Sequence, residues 1–136
     1  MSKVKENVNK LYFPMYDYQV DIIITDSIKK SRSNRNVEIG EKFDARGCLG
    51  LHTSIEEEMK SYIFLKPNSS AGTIAHECFH CTSAIMTTIG TCMDDSSEEV
   101  YAYTLTYLVD IVTNQIKQIK KESKIKQDEH DQSSLS

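Results

Sequence analysis

The segment His76-Glu77-Cys78-Phe79-His80 holds the residues of this chain that are best suited to metal chemistry. On a helix, residues four positions apart share one face, so His76 and His80 can direct two imidazole nitrogens at one zinc ion. Glu77 follows the first histidine and would lie beside the ion without binding it. There its carboxylate can take a proton from a metal-activated water. The spacing therefore predicts a zinc site with Glu77 as the general base.

A third protein ligand is expected, because a catalytic zinc site combines three protein ligands with one open position. The acidic run Asp94–Glu99 follows the motif and lies at the predicted start of a second helix. A helical hairpin that turns between residues 88 and 95 can return Glu98 or Glu99 to the histidines. By helical angle, Glu98 continues the apolar face of the second helix and Glu99 lies about 100° from it. Both carboxylates are therefore candidate ligands.

The pattern His76-Glu77-x-x-His80 followed by Glu99-x-x-Ala102 resembles the gluzincin metallopeptidases. The short form of the chain resembles the ImmA/IrrE-type peptidases and the zincin domain of the ArdC-type antirestriction proteins. These families are zinc peptidases or peptidase-like domains of bacteria and phages. The resemblance implies a zincin-like fold with zinc held by His76, His80 and Glu99, and peptide hydrolysis with Glu77 as the general base.

The resemblance covers the order of elements over residues 18–120, and it is specific in motif only at 73–81 and 98–106. Thermolysin-like enzymes carry an aspartate four residues after the ligand glutamate, and here that position is Tyr103. The segment after the motif, residues 81–83, also lacks the glycine of many relatives. The alternative function is therefore a catalytically weak or inactive zincin-fold binding module, such as a phage or bacterial regulator of a host protein.

The cysteines and the lone strand histidine have simpler interpretations. Cys78 and Cys81 form a CxxC, but the chain has no second CxxC for a four-thiolate site, so small buried side chains are expected. A redox function for this pair is weaker still, because the pair does not directly follow a strand. Cys48 is interpreted as an ordinary strand residue. His52 is interpreted as a surface residue, with a role as transition-state stabiliser in the cleft as the alternative.

The elements that would position these residues form an α+β domain with a three-stranded sheet beside helices. Residues 1–16 are expected to form a short helix or arm, residues 1–121 one zincin-like domain, and residues 122–136 a disordered polar tail. The predicted elements are a strand at Tyr18–Thr25, a short helix through Lys30, an edge strand at Ala45–Thr53, a strand at Ser61–Leu65, the motif helix at 70–88 ending near Gly90, and a second helix from Ser96 to about Lys121. The core face of that second helix is predicted to contain Tyr101, Leu105, Leu108, Val112, Ile116 and Ile119.

Composition limits the classes of function. The chain has 136 residues, of which 39% are hydrophobic and 26% charged, which suits one globular domain. A net charge of −4 argues against a nucleic-acid partner, and a peptide or protein substrate is expected instead. The longest apolar run is Ile22–Ile24, far short of the ~20 residues of a membrane helix. No signal peptide is recognisable, so a cytoplasmic protein with free thiols is predicted.

Overall fold

The computed structural model describes residues 3–37 and 49–134. The chain has an α+β fold with four strands in one mixed sheet and three α-helices within those ranges. In chain order the elements are β1 (Glu6–Phe13), β2 (Tyr18–Thr25), α1 (Ile28–Asn34), β3 (Gly50–Ile55), β4 (Lys60–Leu65), α2 (Ala71–Thr88) and α3 (Glu98–Ser134), with a 3₁₀ turn at Glu56–Glu58 between β3 and β4.

The sheet has the strand order β1-β2-β4-β3, with β2 and β4 parallel and the other two pairs antiparallel. The prediction of three strands is wrong, because β1 lies where a helix or arm was expected. Leu11 and Phe13 of β1 pack on the core, but its other side chains are mostly exposed or half-buried. The period-2 alternation that marks a strand is therefore weak in this segment. Pairing with the buried strand β2 determines its conformation instead.

The two faces of the sheet are covered by different helices. Side chains at alternate positions of β2, such as Val20 and Ile22, pack with Ile63 of β4 against α2 and α3. On the opposite face, Ile23 and Phe64 pack against α1. Both long helices therefore share one face of the sheet, and α2 contacts β3 and β4 directly.

Helix α2 has the boundaries that its end residues predict. The Ser70 side chain caps its first turn by accepting a hydrogen bond from the Thr73 amide. At the other end Gly90 has a φ of 79°, and the Thr91 and Gly90 amides donate to the Met86 and Thr87 carbonyls. This is a Schellman ending, in which glycine is favoured because a side chain would be strained at positive φ. The predicted ending near Gly90 is confirmed.

Helix α3 begins at Glu98, two residues after its predicted start at Ser96. Ahead of it lies a turn in which Asp94 Oδ1 accepts hydrogen bonds from the Ser96 and Ser97 amides. The predicted core face is confirmed: Tyr101, Leu108, Val112 and Ile116 are buried, and Leu105 and Ile119 pack on the core while half-buried.

The structure extends α3 through Ser134, over residues for which a disordered tail was predicted. Side chains from Lys120 to Ser133 are exposed, so packing does not hold this part of the helix. Pairs of side chains four positions apart bond along its surface, for example Gln118 with Glu122 and Gln127 with Asp131. In the described part of the chain, no helix has both the length and the apolar character that a membrane span requires.

Candidate metal centre

His76 and His80 are directed at a common point on the exposed side of α2. Their Nε2 atoms lie 3.1 Å apart, and their rings meet edge to face at 4.7 Å between centroids. Two imidazole nitrogens on one tetrahedral zinc ion, at 2.0–2.1 Å each, lie about 3.3 Å from each other. The pair therefore fits two ligands of one metal ion with little rearrangement. The buried stripe of α2, which includes Cys78 and Ile85, packs in the core and does not include the two histidines.

Glu77 lies between the histidines and the sheet, and it is buried although it is an acid. Its Oε1 is 4.0 Å from His76 Nε2, and its carboxylate accepts a hydrogen bond from the His52 backbone amide. Burial raises the pKa of Glu77, and the neighbouring histidines and the amide only partly oppose this effect. A carboxylate with a raised pKa is a stronger base than an exposed one, which suits it to accept a proton.

Gly50 allows β3 to approach α2 closely enough for this contact. A Cβ atom on Gly50 would come within 2.9 Å of Glu77 Cγ and 2.8 Å of a Leu65 methyl carbon. Real Cβ atoms do not approach carbon atoms so closely, so a side chain there would force the Glu77 and Leu65 side chains to shift. The glycine that interrupts the predicted edge strand thus has a steric role beside Glu77.

His52 projects from β3 towards α2 and borders the same cavity as the motif. The cavity has a volume of about 380 Å³ and is lined by Gly50, Leu51, His52, His76, Glu77 and His80. The His52 and His80 rings are nearly parallel at 6.5 Å between centroids. Burial, with a smaller contribution from His80, lowers the pKa of His52 to about 4, so this ring is neutral at pH 7. Of the two interpretations of His52, the structure favours the one that directs it into the cleft.

Strand alternation is the signal that could have placed His52 from the sequence. Leu51 is buried on the face that carries Phe64 and α1. Because successive strand side chains point to opposite faces, His52 had to point towards the face covered by α2. The interruption of the segment by Gly47 and Gly50 obscures this period in the sequence.

Glu98 and Glu99 are both exposed in the first turn of α3. In residues 3–37 and 49–134, no three His, Cys, Asp or Glu side chains lie close enough to share a metal ion. The Tyr101 hydroxyl donates to the Thr91 carbonyl, which keeps the start of α3 beside the end of α2. Thr88, the last residue of α2, is eight residues beyond His80, so the end of α2 lies about 12 Å from His80 along the helix axis. Because α3 begins beside that end, the structure does not bring Glu99 to the histidines, and its assignment as the third ligand stays a prediction.

The cysteines of the motif helix are part of the core. Cys78 and Cys81 are fully buried, and burial raises the pKa of each thiol to about 12. Such thiols do not ionise near neutral pH, which argues against a redox function and agrees with their expected role as small core residues. Cys48 lies outside the described residues. Tyr103, at 72% exposure, lies in a surface groove with Met15 and Tyr107, away from the histidine cavity.

No protein-family model matches this chain, and no curated protein sequence or solved structure matches it either. The likeness to gluzincins is carried by the motif residues, to which the structure adds the geometry of His76, Glu77 and His80. That geometry is the basis for assigning a function.

Proposed function

We propose that this chain is a zinc-dependent metallopeptidase with a zincin-like fold, in which His76 and His80 bind the zinc ion and Glu77 is the general base. One observation carries the proposal: two Nε2 atoms 3.1 Å apart, next to a buried carboxylate whose pKa burial raises. Without a metal, the same 3.1 Å approach is a hydrogen bond between the two rings, one donating and the other accepting through Nε2, so the proposal rests on the pair together with the acid beside it. A buried acid within 4.0 Å of His76 suits proton transfer beside a metal.

The residues of the cavity have distinct roles in this mechanism. When bound, zinc would polarise the scissile carbonyl and lower the pKa of the attacking water to about 7. Glu77 takes the proton of that water and then passes it to the leaving amine. The His52 backbone amide holds the Glu77 carboxylate in place during both transfers. Gly50 keeps the strand close enough for this hydrogen bond.

An extended peptide is the substrate shape that the sheet favours. Among the described strands β3 pairs only with β4, so its other side forms an edge of the sheet beside the cavity. Extended peptides bind such edges by adding a strand, with main-chain hydrogen bonds for affinity. A peptide on this edge would cross the front of Glu77 and the two histidines.

The second candidate function is a binding module that keeps the fold without efficient hydrolysis. It is favoured by Tyr103, which stands where thermolysin-like enzymes carry an aspartate four residues after the ligand glutamate. In this alternative the edge of β3 binds a partner protein and does not release a cleaved product.

The test combines zinc content with hydrolysis of a fluorogenic peptide library. We expect about one zinc per chain and measurable cleavage for the unchanged protein. Glu77→Gln should keep the zinc and lose 10²–10⁴-fold in rate, because glutamine has the shape of Glu77 but cannot accept the proton. Glu58→Gln, which removes an exposed carboxylate from the 3₁₀ turn, is the matched control and should cleave normally.

Each outcome of this test assigns one function. Zinc bound without cleavage by any variant would support the binding module. Absence of zinc after zinc is supplied would exclude the peptidase and leave a binding module that needs no metal.

A further inference from the structure

A chain of hydrogen bonds connects the histidine cavity to the centre of the sheet. The Tyr18 hydroxyl lies 2.7 Å from Ser61 Oγ, and Ser61 Oγ lies 2.9 Å from His52 Nε2. Tyr18 and Ser61 are both fully buried, whereas His52 borders the cavity. The chain therefore begins in the core and ends at a ring that faces the candidate metal centre.

The direction of these hydrogen bonds follows from the acceptors within reach. A buried hydroxyl must donate its hydrogen, and among the described residues the partner of the Tyr18 hydroxyl is Ser61 Oγ. Ser61 therefore accepts from Tyr18. The hydrogen of Ser61 then has two neighbours, His52 Nε2 and the Cys81 thiol. A neutral thiol is a weak acceptor and an unprotonated imidazole nitrogen is a strong one, so Ser61 donates to Nε2.

An Nε2 atom that accepts a hydrogen bond carries no proton, so a neutral imidazole must carry its proton on Nδ1. We propose that Tyr18 and Ser61 fix His52 as the neutral tautomer with its proton on Nδ1, and that this N–H donates a hydrogen bond to an oxygen atom of the peptide in the cavity. The hydrogen bond to the peptide rests on the proposed peptidase function, whereas the tautomer assignment does not.

A donor fixed in this way suits a site where negative charge develops on oxygen. Its orientation is set before the peptide binds, so the hydrogen bond needs no rearrangement during the reaction. The His52 ring lies beside His80, in the cavity that Glu77 also lines. An extended peptide on the edge of β3 would therefore present its carbonyl groups near this ring.

The tautomer can be read directly from nitrogen NMR. In the full ¹⁵N-labelled chain with zinc added, at pH 7, we expect His52 to show a protonated Nδ1 and an unprotonated Nε2. Tyr18→Phe removes the hydroxyl that donates to Ser61, so Ser61 can accept from His52 and the Nε2–H form should appear. Ser61→Thr keeps a hydroxyl and should preserve the original pattern.

Tyr101→Phe is the matched control, because it removes another buried tyrosine hydroxyl, which donates to the Thr91 carbonyl away from the cavity. It should leave the His52 signals unchanged. Two results would overturn the assignment. One is an Nε2–H form of His52 in the unchanged protein, and the other is a Tyr18→Phe variant whose His52 tautomer is the same as in all the other variants.

The donor role is tested with a peptide that the unchanged protein cleaves. Tyr18→Phe should lower kcat about tenfold while KM and zinc content stay near their original values, because the donor tautomer is then only partly populated. Tyr101→Phe should not change kcat. Cleavage with an unchanged kcat in Tyr18→Phe would refute the donor role and leave the peptidase function standing. An Nδ1–H tautomer without any cleavage would refute the peptidase function and the donor role together, and uphold the tautomer assignment.

Discussion

Two polar segments that the sequence assigns to one metal site lie in different surroundings. In residues 76–80, Glu77 is buried against β3, and the two histidines converge beside it. In residues 94–99, most side chains are exposed, and Asp94 bonds to the Ser96 and Ser97 amides of its own turn. The Ser96 hydroxyl donates to the same carboxylate, and its hydrogen bond together with those of the amides lowers the pKa of Asp94, which is the opposite of the shift at Glu77.

The difference separates two uses of a carboxylate. Asp94 satisfies local backbone donors ahead of a helix, which a sequence with Asp and Ser in this spacing can do alone. The surroundings of Glu77 are formed by β3, a strand that lies more than twenty residues earlier in the chain. Local hydrogen bonding makes an acid stronger, and tertiary burial makes it weaker. Of the two segments, only residues 76–80 combine a buried carboxylate with converging imidazoles.

The largest expected effect is the loss of zinc from the histidine segment. His80→Ala should lower zinc affinity at least a hundredfold, because it removes one of the two histidine ligands and leaves only the imidazole of His76. With zinc at a thousandfold excess over its Kd, the unchanged protein should gain about 4 kcal/mol of stability, and the variant no more than about 1.4 kcal/mol. Urea unfolding with zinc and with a chelator measures both values. His130→Ala, in the exposed part of α3, is the control and should behave like the unchanged protein. Equal stabilisation of His80→Ala would show that zinc binds elsewhere.

A smaller effect is expected on the pH dependence of stability near β3. An unfolded histidine takes a proton near pH 6.5, whereas His52 in the folded protein stays neutral down to about pH 4. The unfolded state therefore binds more protons between these values, and stability falls as pH is lowered from 6.5 to 4, by on the order of 3 kcal/mol. The lowered pKa of Asp94 contributes stability that is lost only below about pH 3.8, the ordinary pKa of an aspartate, so pH 5 separates the two segments.

The pH effect is measured by metal-free urea unfolding in a Glu77→Gln background. This background removes the raised pKa of Glu77, which would otherwise add stability on acidification. His52→Gln in the same background should flatten the pH dependence between 6.5 and 4. A slope that His52→Gln leaves intact would contradict the assigned shift.

The smallest effect tests whether the segments join when zinc binds. Glu99→Gln is expected to weaken zinc binding about tenfold, equivalent to 1.4 kcal/mol, if the first turn of α3 supplies the third ligand. Glu98→Gln is the paired control, because its side chain lies about 100° away on the same turn. Isothermal titration with zinc measures both. Equal affinities for both variants and the unchanged protein would show that the segments stay separate and that Glu99 is not a ligand.

The sequence by itself determines the parts of the molecule that depend on neighbouring residues. The caps and the glycine ending of α2, the strands β2 and β4, and the core face of α3 all follow from spacing and residue type, because the interactions involved span one turn or one strand. The convergence of His76 and His80 is of the same kind, since an i,i+4 pair on a helix needs nothing beyond the helix.

Only the tertiary structure decided the rest. β1 is a strand because β2 is beside it, and its own side chains alternate too weakly to show this. Glu77 is buried because Gly50 lets β3 close on α2, and His52 belongs to the cavity because Ser61 and Tyr18 hold its ring from the core. These contacts join residues far apart in the chain, so the spacing of residues within one element does not predict them. The distance between α3 and the histidines is likewise set by how two helices pack on one sheet face.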